Sequence, residues 1–339
     1  MAGNRNVLVT GATGFVGRHV VAGLDNCTLT VASRTPALTM SLPIRRVIIP
    51  AIDSTTDWGS ALDGVDAVIH LAGIAHRSAR FRDGNADLYA EVNTRGTLRL
   101  AEAAARAGVR DFIFASSIHV NGASTDGRAP FRESDVPRPI GPYAESKARA
   151  EDGLATIAAA AGMAITIIRP PVIHGAGARG NIARIETALR RGAPLPFATI
   201  RNRRAFLGVD NLVAFLGWRL ARTNSGADTF ILADEEQPST PGFIRHLGTA
   251  MDRRPRLLPF PTALLRTTLK AMGRHTMAEG LLGSLAVDTT RATTAGWQPP
   301  FTLEDGLRRA FAGPSRHRRT TGPDGQEHPD RNPCIGRAG

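Results

Sequence analysis

The feature that most constrains the fold is a glycine-rich turn directly after the first apolar run. Residues Val7-Leu8-Val9-Thr10 form that run, and Gly11, Gly14 and Gly17 follow at three-residue intervals, after which apolar residues recur at helical spacing. A strand, a tight glycine turn and a helix N-terminus in this order hold a dinucleotide pyrophosphate on backbone N–H groups. We therefore predict contacts with a dinucleotide cofactor from the residues of this turn: Gly11, Thr13, Gly14, Phe15, Val16 and Gly17.

Short apolar runs alternate with helical segments over the first half of the chain. Further strands are predicted at 29–32, 47–49, 66–70, 112–115 and 165–169, with a helix at 89–108. This alternation, without internal repeats, predicts the α/β class and a doubly wound parallel sheet, that is, a Rossmann fold.

The pattern changes after residue 174, where a smaller C-terminal substrate lobe is predicted. Short strands are expected near 197–200 and 205–209, a return to the main sheet at 230–232, and helices at 243–251, 262–272 and 303–311. The predicted domains are an NAD(P)-binding Rossmann domain over 1–174 with a return near 205–235, a discontinuous substrate lobe over 175–312, and a disordered tail over 313–339.

The composition limits the classes of binding partner that are expected. The formal charge of +12 fits nucleic acid, a membrane surface or anionic small molecules, but the basic residues are dispersed and no aromatic-rich basic strand accompanies them. We therefore expect an anionic small-molecule substrate and no nucleic acid. Cys27 and Cys334 have no metal-ligand or disulfide spacing, so no metal is predicted. No apolar run reaches the length of a membrane span, so a cytoplasmic protein without stable membrane insertion is expected.

The end of the second predicted strand bears on the choice of cofactor. An acid there would bind the ribose 2′-hydroxyl of NAD, but the chain has Ser33 and Arg34 instead. A guanidinium suits a 2′-phosphate, so NADPH is favoured while NAD stays possible. Ile52 and Asp53 are expected at the adenine edge, and the turn Leu71-Ala72-Gly73 lets the backbone approach the cofactor.

The strongest catalytic signal is Tyr143 followed four residues later by Lys147. The chain has two tyrosines and two lysines, so this spacing is an infrequent coincidence. Residues four apart share one helical face, and a cation there is predicted to lower the pKa of the phenol. Such a phenol can exchange a proton with a sugar or alcohol oxygen.

Several motifs occur together over residues 6–312: Gly11-x-x-Gly14-x-x-Gly17, His70-Leu-Ala-Gly73, Asn93, Ser116-Ser117, Tyr143-x-x-x-Lys147 and Arg169-Pro-Pro-Val-Ile-His-Gly175. Together they resemble the extended short-chain dehydrogenase/reductase family, in its nucleotide-sugar epimerase, dehydratase and ketoreductase branch. Residues 116–122, 202–212 and 283–288 are most similar to bacterial polysaccharide enzymes that reduce or epimerise UDP-sugars at C4.

The resemblance implies a role for individual residues. Ser117 would bind the reacting C4 oxygen, Tyr143 would be the acid/base, and Lys147 would hold the nicotinamide ribose. Asn181 and Arg204 would meet the uridine diphosphate. The resemblance also adds Asn93, Pro170 and Val172 to the cofactor site and His119 to the substrate site. A homodimer through the helices over 89–108 and 143–161 is implied as well.

The chain departs from the family pattern at three places. His119 replaces a customary lysine and His174 a customary tyrosine. An arginine that commonly contacts the uridine ribose would fall near Ala278, where there is none.

One function of this branch is not expected, and three others are compatible with these residues. Dehydratases of this branch place Asp-Glu after the catalytic hydroxyl residue, and the chain has Ile118-His119 there, so dehydration is not expected. A 4-ketoreductase of surface-polysaccharide biosynthesis is favoured because Arg34 suits NADPH. A 4-epimerase with tightly bound NAD is the first alternative. A non-catalytic NADP-binding sensor is the second, although such proteins typically lose the tyrosine or lysine that this chain keeps.

Overall fold

The structure is a computed structural model and describes residues 5–34, 44–75 and 86–312. The predicted tail over 313–339 lies outside the described residues. Nine strands are described, namely β1 Arg5–Thr10, β2 Cys27–Ser33, β3 Arg45–Ile48, β4 Ala67–His70, β5 Asp111–Ala115, β6 Ala164–Arg169, β7 Val172–His174, β8 Phe206–Gly208 and β9 Ala227–Ile231.

Seven of these strands form one parallel sheet in the order β3-β2-β1-β4-β5-β6-β9. The order reverses next to β1, which is the arrangement of a doubly wound fold. The predicted α/β class and parallel sheet are therefore confirmed, including the late return of the chain to the sheet as β9. Strands β7 and β8 form a separate parallel pair.

The helices lie on both faces of the sheet and build the lobe. They are α1 Phe15–Gly23, α2 Gly59–Leu62, α3 Ala86–Tyr89, α4 Gly96–Arg106, α5 Pro142–Ala161, α6 Asn181–Arg190, α7 Val209–Leu220, α8 Thr240–Ala250, α9 Thr262–Ala271, α10 His275–Leu282, α11 Thr290–Thr294 and α12 Leu303–Phe311. A π-helical segment Ala90–Arg95 joins α3 to α4, and a 3-10 turn Ile118–Val120 follows β5. Within the described ranges, no helix is long and apolar enough to cross a membrane.

The central strands are apolar along their whole length because the sheet is covered on both faces. Side chains of α1 and α7 pack on one face around Phe215. Side chains of α2, α4 and α5 pack on the other face around Phe112 and Leu154. The sheet therefore holds its strand ends in fixed positions, and the loops at those ends can carry a precise site.

The lobe has its own core, built mainly from α6, α8, α10 and α12. The strand predicted near 197–200 was wrong. Phe197 and Ile200 are buried there, but their amides close local turns onto the carbonyls of Leu195 (2.9 Å) and Phe197 (3.2 Å). The stretch pairs with residues 256–258 only through one parallel bridge, Leu195 to Leu257, and through the amide of Ala198, which donates to the Leu258 carbonyl (3.1 Å). The apolar spacing therefore reflects burial in the lobe core and not a continuous strand.

Candidate active site

The glycine turn after β1 fits a dinucleotide cradle. Gly11 has a positive φ of +72°, and a Cβ there would lie 2.7 Å from the backbone nitrogen of Ala72. A Cβ on Gly17 would lie 2.2 Å from the carbonyl oxygen of Gly11. Gly14 is the N-cap of α1 and has no side chain to bind the amides of the first helical turn. Larger residues would fill this turn, and its open amides suit the pyrophosphate of a dinucleotide.

Two more predicted cofactor segments follow neighbouring strands at the same edge of the sheet. Ser33 ends β2, and Arg34 comes next with its side chain exposed. Asp53, after β3, accepts hydrogen bonds from the hydroxyls of Thr55 (2.8 Å) and Thr56 (3.0 Å), which lower the pKa of its carboxyl group. Ile52 packs so closely on α4 that a Cβ at Gly96 would lie 2.9 Å from its side chain.

Asn93 joins the loop after β4 to the start of α5. Its side-chain oxygen accepts a hydrogen bond from the amide of Ile74 (2.8 Å), and its amide donates to the Ile74 carbonyl (3.0 Å) and to the hydroxyl of Ser146 (3.0 Å). Ser146 in turn donates to the carbonyl of Tyr143 (2.7 Å). Asn93 lies in the π-helical segment, which the sequence did not predict, and π-turns are frequent at functional sites.

A buried histidine links the same elements through a chain of hydrogen bonds. The amide of Ala72 donates to the hydroxyl of Thr10 (3.3 Å), and that hydroxyl lies 2.7 Å from Nδ1 of His70. On the other side of the ring, Nε2 lies 3.0 Å from the hydroxyl of Thr97, which donates to the carbonyl of Asn93 (2.8 Å). Burial is the main reason that the pKa of His70 falls to about 3, so the imidazole is neutral. We call this chain the His70 relay.

Lys147 lies deep between the sheet and α5. Its Nζ donates to the carbonyl of Ala115 (2.8 Å) and lies 4.4 Å from the centre of the Phe114 ring. A Cβ at Gly73 would come within 3.3 Å of the same nitrogen, so the ammonium faces the loop after β4. Burial lowers the pKa of Lys147 to about 8, and the negative charge of Glu151 opposes that shift.

Tyr143 is in the first turn of α5, after Gly141 and Pro142. The predicted lowering of its pKa was wrong in direction. Burial raises the pKa of the phenol, while a hydrogen bond from the hydroxyl of Ser117 acts in the opposite sense and is the smaller effect. Lys147 does not compensate, because its ammonium is bound to the Ala115 carbonyl on the sheet side. The phenol is therefore held in its protonated form at neutral pH.

Ser117 lies two residues after the end of β5 and caps the 3-10 turn, where its hydroxyl accepts from the amide of His119 (3.3 Å). The side chain of His119 is exposed at the surface of this turn. The loop after β6 is fixed against this turn, because the amide of Ile118 donates to the carbonyl of Pro170 (3.0 Å). Val172, two residues on, is 39% exposed. The predicted catalytic residues Ser117 and Tyr143 are thus brought together, at the edge of the sheet that carries the predicted cofactor residues.

An ion pair behind these residues was missed at the sequence level. The guanidinium of Arg169 binds both carboxylate oxygens of Glu151 (3.1 Å from Nε to each) and the side chain of Asn121 (3.0 Å). Ser116 donates to the same carboxylate. The one available signal was that Glu151 lies four residues after Lys147, on the same face of α5.

The two residues predicted to meet the diphosphate lie next to one helix of the lobe. Arg204 is 4% exposed and donates from Nη1 to the carbonyls of Glu279 (3.2 Å) and Gly283 (2.7 Å). Burial lowers the pKa of Arg204 to about 10. Asn181, at the start of α6, packs so close to α10 that a Cβ at Gly280 would lie 2.8 Å from its amide nitrogen.

A cavity of about 350 Å³ opens in the same lobe. It is lined by Arg184, Gly273, Arg274 and Met277. Arg184 also donates to the side-chain oxygen of Asn181 (3.2 Å), which connects the cavity to the predicted diphosphate residues. Although Ala278 is not an arginine, Arg274 comes four residues earlier and supplies a guanidinium to this region.

His174 is part of the junction between the sheet and the lobe. Its Nε2 lies 2.7 Å from a carboxylate oxygen of Asp234, and both side chains are fully buried. The other oxygen of Asp234 accepts from the amide of Gly208 and from the side chain of Asn211, both at 2.8 Å. His174 therefore ties β7 to β8 and α7.

Comparisons with known proteins agree with this geometry. Residues 7–232 match the model of the NAD dependent epimerase/dehydratase family. A UDP-glucose 4-epimerase of Vibrio cholerae is 32% identical over 90% of this chain and 94% of its own. A GDP-6-deoxy-D-mannose reductase of Pseudomonas aeruginosa is 29% identical over 90% and 95%. Among solved structures, MoeE5 in complex with UDP-glucuronic acid and NAD superposes with a TM-score of 0.71 and 25% identity, covering 89% of this chain and 96% of its own.

Proposed function

The chain belongs to the NAD dependent epimerase/dehydratase family, and we propose that it is a 4-ketoreductase that acts at C4 of a UDP-sugar in surface-polysaccharide biosynthesis. The observation that carries the proposal is the hydrogen bond between Ser117 and Tyr143, with the buried ammonium of Lys147 one helical turn farther along α5 and facing Gly73. The cofactor would supply a hydride to the C4 carbon.

The proton chemistry of the site fits reduction. A carbonyl that accepts a hydride also needs a proton, and the half-buried phenol of Tyr143 is held in the protonated form that can donate one. Ser117 would orient the C4 oxygen by a hydrogen bond. Lys147 would hold the nicotinamide ribose near Gly73 and Asn93, where its ammonium already lies.

Reduced NADP is the proposed cofactor. Arg34 is exposed directly after β2, and no carboxylate lies within ion-pair distance of it in the part of the chain that the structure describes. A charge-assisted hydrogen bond contributes about 1.5–3 kcal/mol, so NADPH should bind roughly ten- to a hundredfold more tightly than NADH.

Titration of both reduced cofactors tests this preference. Arg34→Ala should remove most of the margin without weakening NADH. The matched control is Arg222→Ala, an equally exposed arginine after α7. Equal affinities in the wild type, or an unchanged preference in Arg34→Ala, would exclude NADPH as the preferred cofactor.

A 4-epimerase is the second candidate, favoured by the similarity to the Vibrio cholerae enzyme over nearly the whole chain. An epimerase removes and returns one hydride and keeps its NAD, whereas a reductase consumes one reduced cofactor per turnover. The protein should be purified, its bound nucleotide identified, and a UDP-4-keto sugar supplied with NADPH. Stoichiometric NADPH oxidation supports the reductase, while NAD that copurifies together with C4 inversion of a UDP-sugar supports the epimerase.

The substrate is proposed to be a UDP-sugar, with Asn181 and Arg204 at its diphosphate and Ser117 and His119 near its sugar. We further propose a homodimer that packs α4 and α5 of each subunit into a four-helix bundle. Small residues allow helices to pack closely. Gly153 of α5 shows this within the chain, because a Cβ at this position would lie 2.6 Å from the side chain of Leu98 on α4. Light scattering that gives only a monomer mass at micromolar concentration would exclude the dimer.

A further inference from the structure

One segment of the lobe combines exposed apolar side chains with basic ones. We call residues 253–274 the lobe face; they include α9. Three large apolar side chains are exposed there, namely Leu258 at 49%, Leu264 at 53% and Met272 at 58%. Leu258 is followed by two exposed prolines around a half-buried Phe260, so the apolar surface continues into α9.

The outward side of α9 is more apolar than its sequence suggests. Its inward side carries Leu265 and the buried Leu269, while Leu264, Thr267 and Thr268 are exposed. The two threonine hydroxyls donate to carbonyls of their own helix, Thr267 to Ala263 (3.1 Å) and Thr268 to Leu264 (2.9 Å). Because these hydroxyls are used within the helix, they do not require water, and the threonines can present their methyl groups outward.

The charges on the lobe face all have one sign. Its six charged residues are Arg253, Arg254, Arg256, Arg266, Lys270 and Arg274, and no Asp or Glu occurs from residue 253 to residue 278. Among the described residues, none of the six forms an ion pair within 4 Å, although Asp126 acts on Arg266 through space. An ordinary surface helix of this length pairs its cations with acids one turn away. The lobe face instead carries six cations on the same segment as its exposed apolar side chains, and of the six only Arg266 is acted on by an acid of the described ranges, Asp126.

We propose that the lobe face docks on the surface of a bilayer that contains anionic lipids. In that position α9 would lie in the plane of the interface, with Leu258, Leu264 and Met272 among the headgroups and acyl ends. The exposed Arg253, Arg254, Arg256 and Lys270 would lie against the lipid phosphates, and Arg274, which lines the cavity, is not needed for this contact. Apolar burial and attraction to anionic headgroups are the two contributions that hold such interfacial helices. This proposal does not depend on the reaction at C4.

Other occupants fit the lobe face less well. A second copy would bring two positive surfaces together, and like charges across an interface oppose association. The chain's own segment 313–339 has five arginines against three acids, so it is repelled as well. Single-stranded nucleic acid needs aromatic side chains for base stacking, and Phe260 is the one aromatic residue in 253–274.

Flotation with lipid vesicles tests the proposal on the full-length protein. Vesicles of phosphatidylcholine with phosphatidylglycerol should bind it at about 0.1 M salt, and pure phosphatidylcholine vesicles should bind it much less. At about 1 M salt the Debye length falls from about 10 Å to about 3 Å, so most of the binding should be lost.

Two double variants identify the surface responsible. Leu264→Ser with Met272→Ser should weaken vesicle binding roughly tenfold or more, and Arg254→Glu with Lys270→Glu should weaken it about a hundredfold or more. The matched controls are Val136→Ser with Ile140→Ser, which are 75% and 73% exposed elsewhere, and Arg106→Glu with Arg222→Glu. Both controls should bind like the wild type. Unchanged thermal unfolding of all four variants shows that they fold.

Several outcomes would overturn the proposal. The wild type could fail to float with the anionic vesicles, or the control variants could lose as much binding as the lobe-face variants. The lobe-face variants could also lower the oligomer mass, or a single-stranded oligonucleotide could bind more tightly than the vesicles. The last two results would assign the lobe face to a second copy or to nucleic acid.

Discussion

Two buried arginines, one behind Ser117 and Tyr143 and one in the lobe, differ in their partners. Arg169 is bound by the carboxylate of Glu151 and the side chain of Asn121. Arg204 is equally buried but is held by the carbonyls of Glu279 and Gly283, and no carboxylate within 4 Å neutralises it among the described residues. Burial lowers the pKa of Arg204 to about 10, which is the sign of a charge taken out of water without an equivalent partner.

The difference between Arg169 and Arg204 indicates which of the two regions lacks a nearby counter-charge. The charge of Arg169 is balanced inside the protein, so this side chain contributes to folding and to the position of α5. Arg204 has no carboxylate within 4 Å among the described residues, and Asp126 acts on its charge only from farther away. Arg184 and Arg274 on the nearby cavity add to the positive field. An anionic ligand such as a diphosphate would complete the lobe site. Substitutions in the first region should therefore change stability or chemistry, and substitutions in the second should change ligand affinity.

The largest effect is expected at Tyr143. Tyr143→Phe removes the transferable proton and keeps the ring, so turnover should fall by roughly 10²–10⁴-fold. The matched control is Tyr89→Phe, since Tyr89 is the chain's other tyrosine and its ring lies 6.4 Å from that of Tyr143. Single-turnover kinetics check the result. If Tyr143→Phe keeps more than about a tenth of the activity with chemistry rate-limiting, the assignment of Tyr143 is wrong.

The next largest effect is the difference in the free energy of unfolding between variants of Arg169 and Arg204. Arg169→Met leaves Glu151 buried without its partner and should lower the free energy of unfolding by about 3–5 kcal/mol. Arg204→Met should lower it by only about 1 kcal/mol, because the carbonyls of Glu279 and Gly283 keep other donors, the Gly283 amide and the Asn202 side chain. Urea denaturation measures both.

A double variant tests the origin of that difference. Arg169→Met with Glu151→Leu removes both charges and should recover most of the stability lost in Arg169→Met. Equal losses for the two single variants would contradict the comparison.

The effect on ligand affinity should be larger for the variant of Arg204 than for the variant of Arg169, which is the reverse of the effect on stability. Arg204→Met should weaken UDP binding by roughly ten- to a hundredfold, the range expected for one lost charge-assisted hydrogen bond. Its neighbour Arg203 is exposed, so Arg203→Met is the control and should bind UDP almost normally. Calorimetric titration with UDP and with the cofactor measures both, and cofactor affinity should not change. Similar losses in the two variants would remove Arg204 from the diphosphate site.

The smallest expected effect is the pH dependence of stability at Lys147. Its pKa falls from 10.5 in the unfolded chain to about 8 in the folded protein because of burial. Between those pH values the unfolded state binds more protons than the folded state, so the contribution of Lys147 to stability rises with pH from about 8 to about 10.5. Below pH 8 the buried ammonium destabilises the folded state by its full amount.

Lys147→Met removes this cost, so the variant should unfold a few degrees higher than the wild type at neutral pH, by roughly 3–10 °C. The difference should shrink as the pH approaches the unfolded value. Thermal unfolding followed across this range measures it, with Lys270→Met, at an exposed position, as the control. A constant difference at all pH values would show that the buried ammonium is not its cause.

The parts of this protein that could be predicted from sequence are those whose signals are local. The turn from Gly11 to Gly17 and the spacing of Tyr143 and Lys147 each lie within a few residues, and the strand pattern followed from continuous apolar runs. The direction of the Tyr143 pKa could not be predicted, because it depends on burial by distant parts of the chain. Arg169 and Glu151 meet across 18 residues and two elements, and spacing alone does not indicate such a contact.

The His70 relay has a consequence for the tautomer of its histidine. One end of the relay is a backbone N–H, which can only donate, and the other end is a backbone carbonyl, which can only accept. All intervening hydrogens must then point the same way, from Ala72 towards Asn93, and His70 carries its hydrogen on Nε2. Such a one-way chain has no second arrangement of equal energy and cannot pass a proton in either direction. What the chain does in the fold is to join the loop after β4 to the π-helical segment, in one fixed arrangement of hydrogens.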